Sequence, residues 1–175
     1  MFIWVFVQKG RSGIKWDHVG RSGKTSEHVT YAMFIGEFHH SLDEKGRMSI
    51  PAKFRAALAE GVVVTRGLDR SLFLYPKQEW ETLAAKLAAL PLGQADTRAF
   101  ARLMLAGAME AEVDKAGRVL LPEYLRTYSG LQKNVVVAGL YNRLEIWDED
   151  AYEAYARQTE DQGNAIAERL TNLGV

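Results

Sequence analysis

Glu37–Leu58 reads EFHHSLDEKGRMSIPAKFRAAL, and Ala108–Ser129 reads AMEAEVDKAGRVLLPEYLRTYS. The second stretch aligns on the first at a displacement of 71 residues, keeping Asp43/Asp114, Gly46/Gly117, Arg47/Arg118, Pro51/Pro122 and Arg55/Arg126. Farther on, Val62–Pro76 (VVVTRGLDRSLFLYP) answers Asn134–Asp148 (NVVVAGLYNRLEIWD) at a displacement of 72, as one inserted residue produces. Self-similarity at a fixed spacing decides architecture, and here it implies two copies of a unit of roughly fifty residues.

Each copy makes the same local statements. Phe38, His40 and Leu42 alternate with polar neighbours, as do Met109, Ala111 and Val113, which predicts a short strand. Asp-x-x-Gly then signals a turn, because Asp bonds its own downstream backbone and Gly accepts a positive φ. Second strands follow at Arg47–Ile50 and Arg118–Leu121. Pro51 and Pro122 suit the first turn of a helix, predicting helices near Ala52–Leu58 and Glu123–Tyr128 that stop at Gly61 and Gly130. The runs Val62–Thr65 and Val135–Ala138 read as buried strands, and Leu72–Tyr75 and Leu144–Trp147 as their hairpin partners.

Outside the copies the pattern becomes helical. Trp80, Leu83, Leu87 and Leu90 form one apolar stripe, and Phe100, Leu103, Met104 and Ala108 continue the connector as a second. Tyr152, Tyr155 and Ala156 repeat the stripe after the second copy, while Gln158–Val175 has few large apolar residues and is expected to fray. The division that follows is 33–80 for the first repeat, 81–107 for a helical connector, 108–150 for the second repeat and 151–175 for a C-terminal helix and tail. Residues 1–32 differ from all of this: five Lys/Arg against two acids, GRSG twice, and no sustained period. They read as a disordered or non-native leader, with Met33 as the expected start of the folded protein.

Composition narrows the function. The 175 residues are 47% hydrophobic and 25% charged, ordinary for a globular chain. With 22 Lys+Arg against 22 Asp+Glu, nucleic-acid binding has to come from local patches and not from bulk charge. The absence of cysteine excludes disulfides, thiolate metal sites and cysteine nucleophiles. No apolar run is long enough for a helical membrane span, so no membrane association is expected, and the composition fits a cytoplasmic protein.

The repeated turns carry the chemistry. Each places a lysine (Lys45, Lys115) and an arginine (Arg47, Arg118) around a glycine (Gly46, Gly117), after an aspartate (Asp43, Asp114). Arginine matches guanine O6/N7 with two parallel donors, and lysine meets phosphate as a point charge. The aspartate can hold the arginine rotamer, so less entropy is lost on binding. A purely structural hairpin, with Asp capping the turn and Arg pairing with it, accounts for one such motif less improbably than for two.

Met33–Arg55 (MFIGEFHHSLDEKGRMSIPAKFR), together with Asp114–Arg126 (DKAGRVLLPEYLR), closely resembles the MraZ family of bacterial transcriptional regulators, and the resemblance runs from Met33 to about Asn172. It implies a mixed α+β, β-rich fold of two tandem, pseudo-symmetric swapped-hairpin (AbrB-like) β-barrel halves with flanking helices, assembled into a homo-oligomeric ring. It also implies repression of the promoter ahead of the division and cell-wall gene cluster, through short TGGG-type direct repeats in double-stranded DNA, and a nucleoid-associated location. DNA contacts then fall on Lys45, Arg47, Lys115 and Arg118, with Asp43, Gly46, Asp114 and Gly117 as turn supports. No cofactor, metal or catalytic residue is implied. The leader gains a meaning in this light: Trp16-Asp17 and Trp4-Val5 must be encoded with TGGG, and Val19-Gly20 and Ser22-Gly23 permit it. Residues 1–32 are therefore expected to be translated operator DNA.

Other classes fit less well. Glu37, His39, His40 and Asp43 have metal-ligand chemistry, but adjacent strand residues point to opposite faces. No GxSxG, P-loop, HExxH or GxGxxG occurs, so an enzyme is disfavoured. A protein–protein assembly module using the same basic turns is the main alternative. A single-copy, antitoxin-like AbrB regulator is disfavoured by the duplication.

Overall fold

The fold is built by strands of the two repeats pairing with each other, as seen in a computed structural model that describes residues 33–171. The leader assigned to residues 1–32, and residues 172–175 of the tail, lie outside the described residues. The first repeat supplies β1 (Phe34–Ser41), β2 (Arg47–Ser49), β3 (Val62–Arg66) and β4 (Leu72–Pro76). The second supplies β5 (Met109–Ala111), β6 (Arg118–Leu120), β7 (Asn134–Tyr141) and β8 (Leu144–Asp148). Six of them form an antiparallel sheet in the order β1-β7-β8-β4-β3-β5, and the other two, β2 and β6, form an antiparallel ribbon. The opening strand of each repeat thus lies on the third strand of the other, Phe38 opposite Val137 and Glu110 opposite Val63.

This interleaving explains why Val62–Thr65 and Val135–Ala138 are continuously apolar or small. The inner strands are covered on both faces, so both sets of alternating side chains are buried. On one face, Val62, Val64, Leu72, Leu74, Val135, Val137, Leu144 and Ile146 meet Met48, Ile50, Val119 and Leu121 of the ribbon. Phe54, Leu58 and Leu125 of the short helices complete that core. Phe34 and Phe38 set their rings edge-on to Phe54, with centroids 5.1 and 5.5 Å away, a favoured aromatic geometry. On the other face, Phe73 and Tyr75 pack with helix α1 (Lys77–Ala88) through Trp80, Leu83 and Leu87, and with α2 (Ala95–Leu105) through Met104.

The short helices follow the prolines, with one difference from expectation. Pro51 and Pro122 stand just before the first helical residue, not inside the first turn. Their rings hold φ at −50° and −59°, the geometry of chain entry. Ala52–Leu58 winds as a 3₁₀ helix, whereas α3 (Glu123–Ser129) is α-helical and ends at Gly130 with φ +65°.

The second helical segment of the connector is α2, which carries Phe100, Leu103 and Met104, while Ala108 lies past its end at Leu105. Met104 is buried and Phe100 is 40% exposed at the rim. After the second repeat, α4 (Glu149–Asp161) extends past Gln158, and α5 (Gly163–Leu170) follows it. Neither helix has a buried residue. Good intrinsic helix formers (Glu, Ala, Arg, Gln) favour both, and Tyr152 and Tyr155 of α4 pack against Trp147.

Candidate nucleic-acid interface

The turns at Asp43–Arg47 and Asp114–Arg118 share one pattern of main-chain and aspartate hydrogen bonds. Gly46 N–H donates to the Asp43 carbonyl and Gly117 N–H to that of Asp114, both at 2.8 Å. Asp43 N–H closes the hairpin on the Arg47 carbonyl at 2.9 Å, as Asp114 N–H does on Arg118 at 2.8 Å. Gly46 and Gly117 have φ of +74° and +76°, so each is the left-handed residue that a three-residue hairpin loop requires. The aspartate organises the loop from inside. Asp43 Oδ1 accepts from the N–H groups of Lys45 (3.0 Å) and Arg47 (2.9 Å), and Asp114 Oδ1 from those of Ala116 and Arg118, both 2.9 Å.

The second carboxylate oxygen holds the arginine. Arg47 Nε and Nη2 each lie 2.7 Å from Asp43 Oδ2; Arg118 Nε and Nη2 lie 3.0 and 2.8 Å from Asp114 Oδ2. These side chains are about one-third exposed, so the arginines are clamped at the surface and not free arms. The two sites also touch: Arg118 Nη1 stands 3.6 Å from Asp43 Oδ2, whereas Arg47 Nη1 has no partner among the described residues. The backbone donation from Arg47, then its side-chain bond, hold the Asp43 carboxyl below its ordinary range. For Asp114 the Arg118 side chain is the leading cause, and the same pair pushes the Arg118 guanidinium upward.

The ribbon sets one turn against the other. Its register, Arg47 opposite Leu120, Met48 opposite Val119 and Ser49 opposite Arg118, pairs each residue with one that the 71-residue displacement makes equivalent to its mirror position. A local two-fold axis therefore passes between Met48 and Val119. Main-chain bonds tie across it, Ile50 N–H to Gly117 O at 2.8 Å and Leu121 N–H to Gly46 O at 2.9 Å.

Sequence reasoning noted Arg55 and Arg126 as repeated but assigned them no role. Arg55 Nε donates to Ile50 O (2.9 Å) and its guanidinium lies against Gly117 of the other repeat. Arg126 Nε donates to Leu121 O (3.0 Å) and lies against Gly46. Their equal spacing from the turns was the available signal; that each serves the opposite turn is visible only in three dimensions.

The lysines are not equivalent. Lys45 is the third residue of its turn and Lys115 the second of its own, so Lys115 matches Glu44, and Lys45 matches Ala116. All four residues are exposed. His39 and His40 lie elsewhere, on β1. His39 Nδ1–H donates to Glu149 Oε1, 2.8 Å away, with Glu37 Oε1 3.4 Å from Nε2, and its pKa is raised chiefly by the Glu149 bond. His40, on the other face, is held down by burial. Tyr152 donates to Glu37 Oε2 at 2.7 Å, and burial, then that bond, push its hydroxyl up to about 12.

Paired hairpin turns, each with an aspartate-clamped arginine and arranged about a two-fold axis, define a double-repeat module of interleaved hairpins. Comparison with known proteins specifies which. The family model described as "MraZ protein", with an antitoxin-like character, matches twice, over residues 33–103 and 104–173. The chain is 49% identical over 143 residues to the transcriptional regulator MraZ of Natranaerobius thermophilus, covering 82% of this chain and all of that one. It is 48% identical over 143 residues to that of Moorella thermoacetica, with the same coverage. Against that of Ligilactobacillus salivarius it is 49% identical over 141 residues, 81% of this chain and 99% of that one. The chain belongs to the MraZ family.

Proposed function

We propose that this protein is a sequence-specific, double-stranded-DNA-binding transcriptional repressor that acts at the promoter of the division and cell-wall gene cluster. It binds TGGG-type direct repeats through Lys45, Arg47, Lys115 and Arg118, with Asp43, Gly46, Asp114 and Gly117 holding the turns. The observation that carries the reading is the pair of clamped arginines about one axis. A guanidinium already fixed by a carboxylate loses little entropy when it meets a base edge, and remaining donors such as Arg47 Nη1 are available for it. The names of the relatives, all transcriptional regulators, support the same class and a non-enzymatic role.

We further infer that the interleaved strands form the AbrB-like swapped-hairpin barrel and that copies associate into a ring on DNA in the cytoplasm. Support for self-association comes from Ile35 and Leu140, neighbours across β1 and β7 that are 56% and 39% exposed, beside exposed Tyr141 and Leu68. Among the described residues no helix is long and apolar enough to cross a membrane. A neutral chain holds DNA when many subunits present basic turns together, since linked weak contacts add as avidity.

The test is a fluorescence-anisotropy titration of the full chain against a duplex from immediately upstream of its own Met33 codon, at two salt concentrations. A duplex with every TGGG scrambled is the control. Tight, salt-sensitive binding to the first duplex alone supports the reading. Equal binding to both refutes sequence specificity, and binding to neither favours a protein-assembly module.

A further inference from the structure

The two-fold axis between Met48 and Val119 poses a problem for any reader of directional DNA. Backbone geometry at Asp43–Arg47 and Asp114–Arg118 is the same to a few tenths of an ångström in its hydrogen bonds. B-form DNA also has local two-fold symmetry in its sugar-phosphate backbone. A symmetric pair of turns therefore docks equally well in either direction along the duplex, and sequence polarity has to be read by whatever differs between the turns.

Between the aspartate and the arginine, the two turn sequences differ only in the two residues at each tip. The first tip is Glu44-Lys45, one acid and one base; the second is Lys115-Ala116, one base alone. The flanking Asp, Gly and Arg are common to both, and each arginine is neutralised by its own aspartate. At the first tip position the contrast is greatest: a carboxylate at Glu44 stands where Lys115 carries an ammonium. Both side chains are exposed, and neither makes an ion pair or side-chain hydrogen bond with another described residue. Nothing in the described fold employs them.

Resting on the DNA-binding reading above, we propose that Glu44 and Lys115 are specificity-determining residues that fix the direction in which the module lies on DNA. Lys115 donates to the O6 and N7 acceptors of guanine, so the second turn takes the guanine-bearing half of the site. Glu44 is an acceptor and repels those same atoms; it accepts from the exocyclic amino groups of cytosine or adenine, and so assigns the first turn to the other half. Discrimination thus arises as much from the unfavourable pairing of Glu44 with guanine as from the favourable one of Lys115.

The direction can be read by directed cleavage, because the chain has no cysteine and one introduced thiol is unique. Ser41→Cys, exposed and two residues before Asp43 in the first repeat, is labelled with an iron chelate in the full chain. The probe is a duplex carrying one copy of the sequence that the wild-type full chain enriches from random DNA. The expected result is cutting on one side of the site with the wild-type tips. Glu44→Gln leaves one positive charge on each tip, and cutting becomes two-sided, with the two intensities within about twofold of each other. Glu44→Lys combined with Lys115→Glu moves the cutting to the opposite side. One-sided cutting that survives unchanged in Glu44→Gln and in the charge exchange overturns this proposal while leaving DNA recognition intact. Failure of the wild-type chain to enrich any sequence overturns the DNA reading itself, and this proposal with it.

Discussion

Replacing Gly117 by alanine tests the cross-repeat packing directly. A Cβ there overlaps Cζ and Nε of Arg55, whose Nε is anchored to Ile50 O at 2.9 Å and is not free to swing away without losing that bond. The φ of +76° adds about 1–2 kcal/mol for an L-residue, and overpacking typically costs about 1–3 kcal/mol. Against these, alanine reduces unfolded-chain entropy and returns about 0.4–1 kcal/mol. The net loss is about 2–4 kcal/mol, a fall in Tm of roughly 5–15 °C for a folded unit of this size. Gly130→Ala is the internal control: φ is +65°, but nothing lies within 4 Å of its Cβ, so the net loss is only about 0.5–1 kcal/mol. Thermal and urea unfolding followed by circular dichroism, at one protein concentration, gives both values. The cycle of Gly117→Ala with Arg55→Ala should show a coupling of about 1–3 kcal/mol, because removing the guanidinium relieves the overlap. Equal losses at Gly117 and Gly130, or strict additivity in the cycle, would refute the placement of Arg55 against the opposite turn.

Arg47→Ala and Arg118→Ala should each weaken specific DNA binding by about 1–3 kcal/mol in the anisotropy titration while the unfolding midpoint changes little. Asp43 and Asp114 have carboxyls held below their ordinary value of 3.8, so their stabilisation is present in full above that pH and is lost as pH falls through the lower folded values. Urea midpoints measured down the acid range should show this loss, and Asp43→Asn together with Asp114→Asn should flatten it. His39 is raised above 6.5, so its contact with Glu149 stabilises in full below that pH and weakens as pH rises through the raised value. Protection factors along α4, taken relative to the intrinsic exchange rate at each pH, should fall over that interval in the wild type but not in His39→Gln. Phe34→Ala removes a fully buried ring set edge-on to Phe54 and should cost about 3–5 kcal/mol by urea denaturation.

The duplication made much of this protein readable as a sequence. Period-two alternation at Phe38–Leu42, the Asp-x-x-Gly turns, the prolines before short helices and the apolar runs at Val62 and Val135 are local signals, and the strands and helices follow them. Asp43 with Arg47 and Asp114 with Arg118 could be paired from spacing alone, because a hairpin loop of this length brings positions i and i+4 together. The stripe of Tyr152 and Tyr155 after the second copy lies on α4, where both rings pack against Trp147.

Tertiary structure alone decided which repeat each strand joins. A strand's sequence encodes which of its faces is buried, but any antiparallel partner of matching pattern satisfies that, so Phe38 opposite Val137 could not be inferred from either stretch. The same holds for Arg55 and Arg126, whose spacing within a repeat says nothing of the turn they meet in the other. It holds again for the axis at Met48 and Val119. Local chemistry is written in neighbouring residues and can be read from them; reciprocity between copies exists only once the chain has folded back on itself.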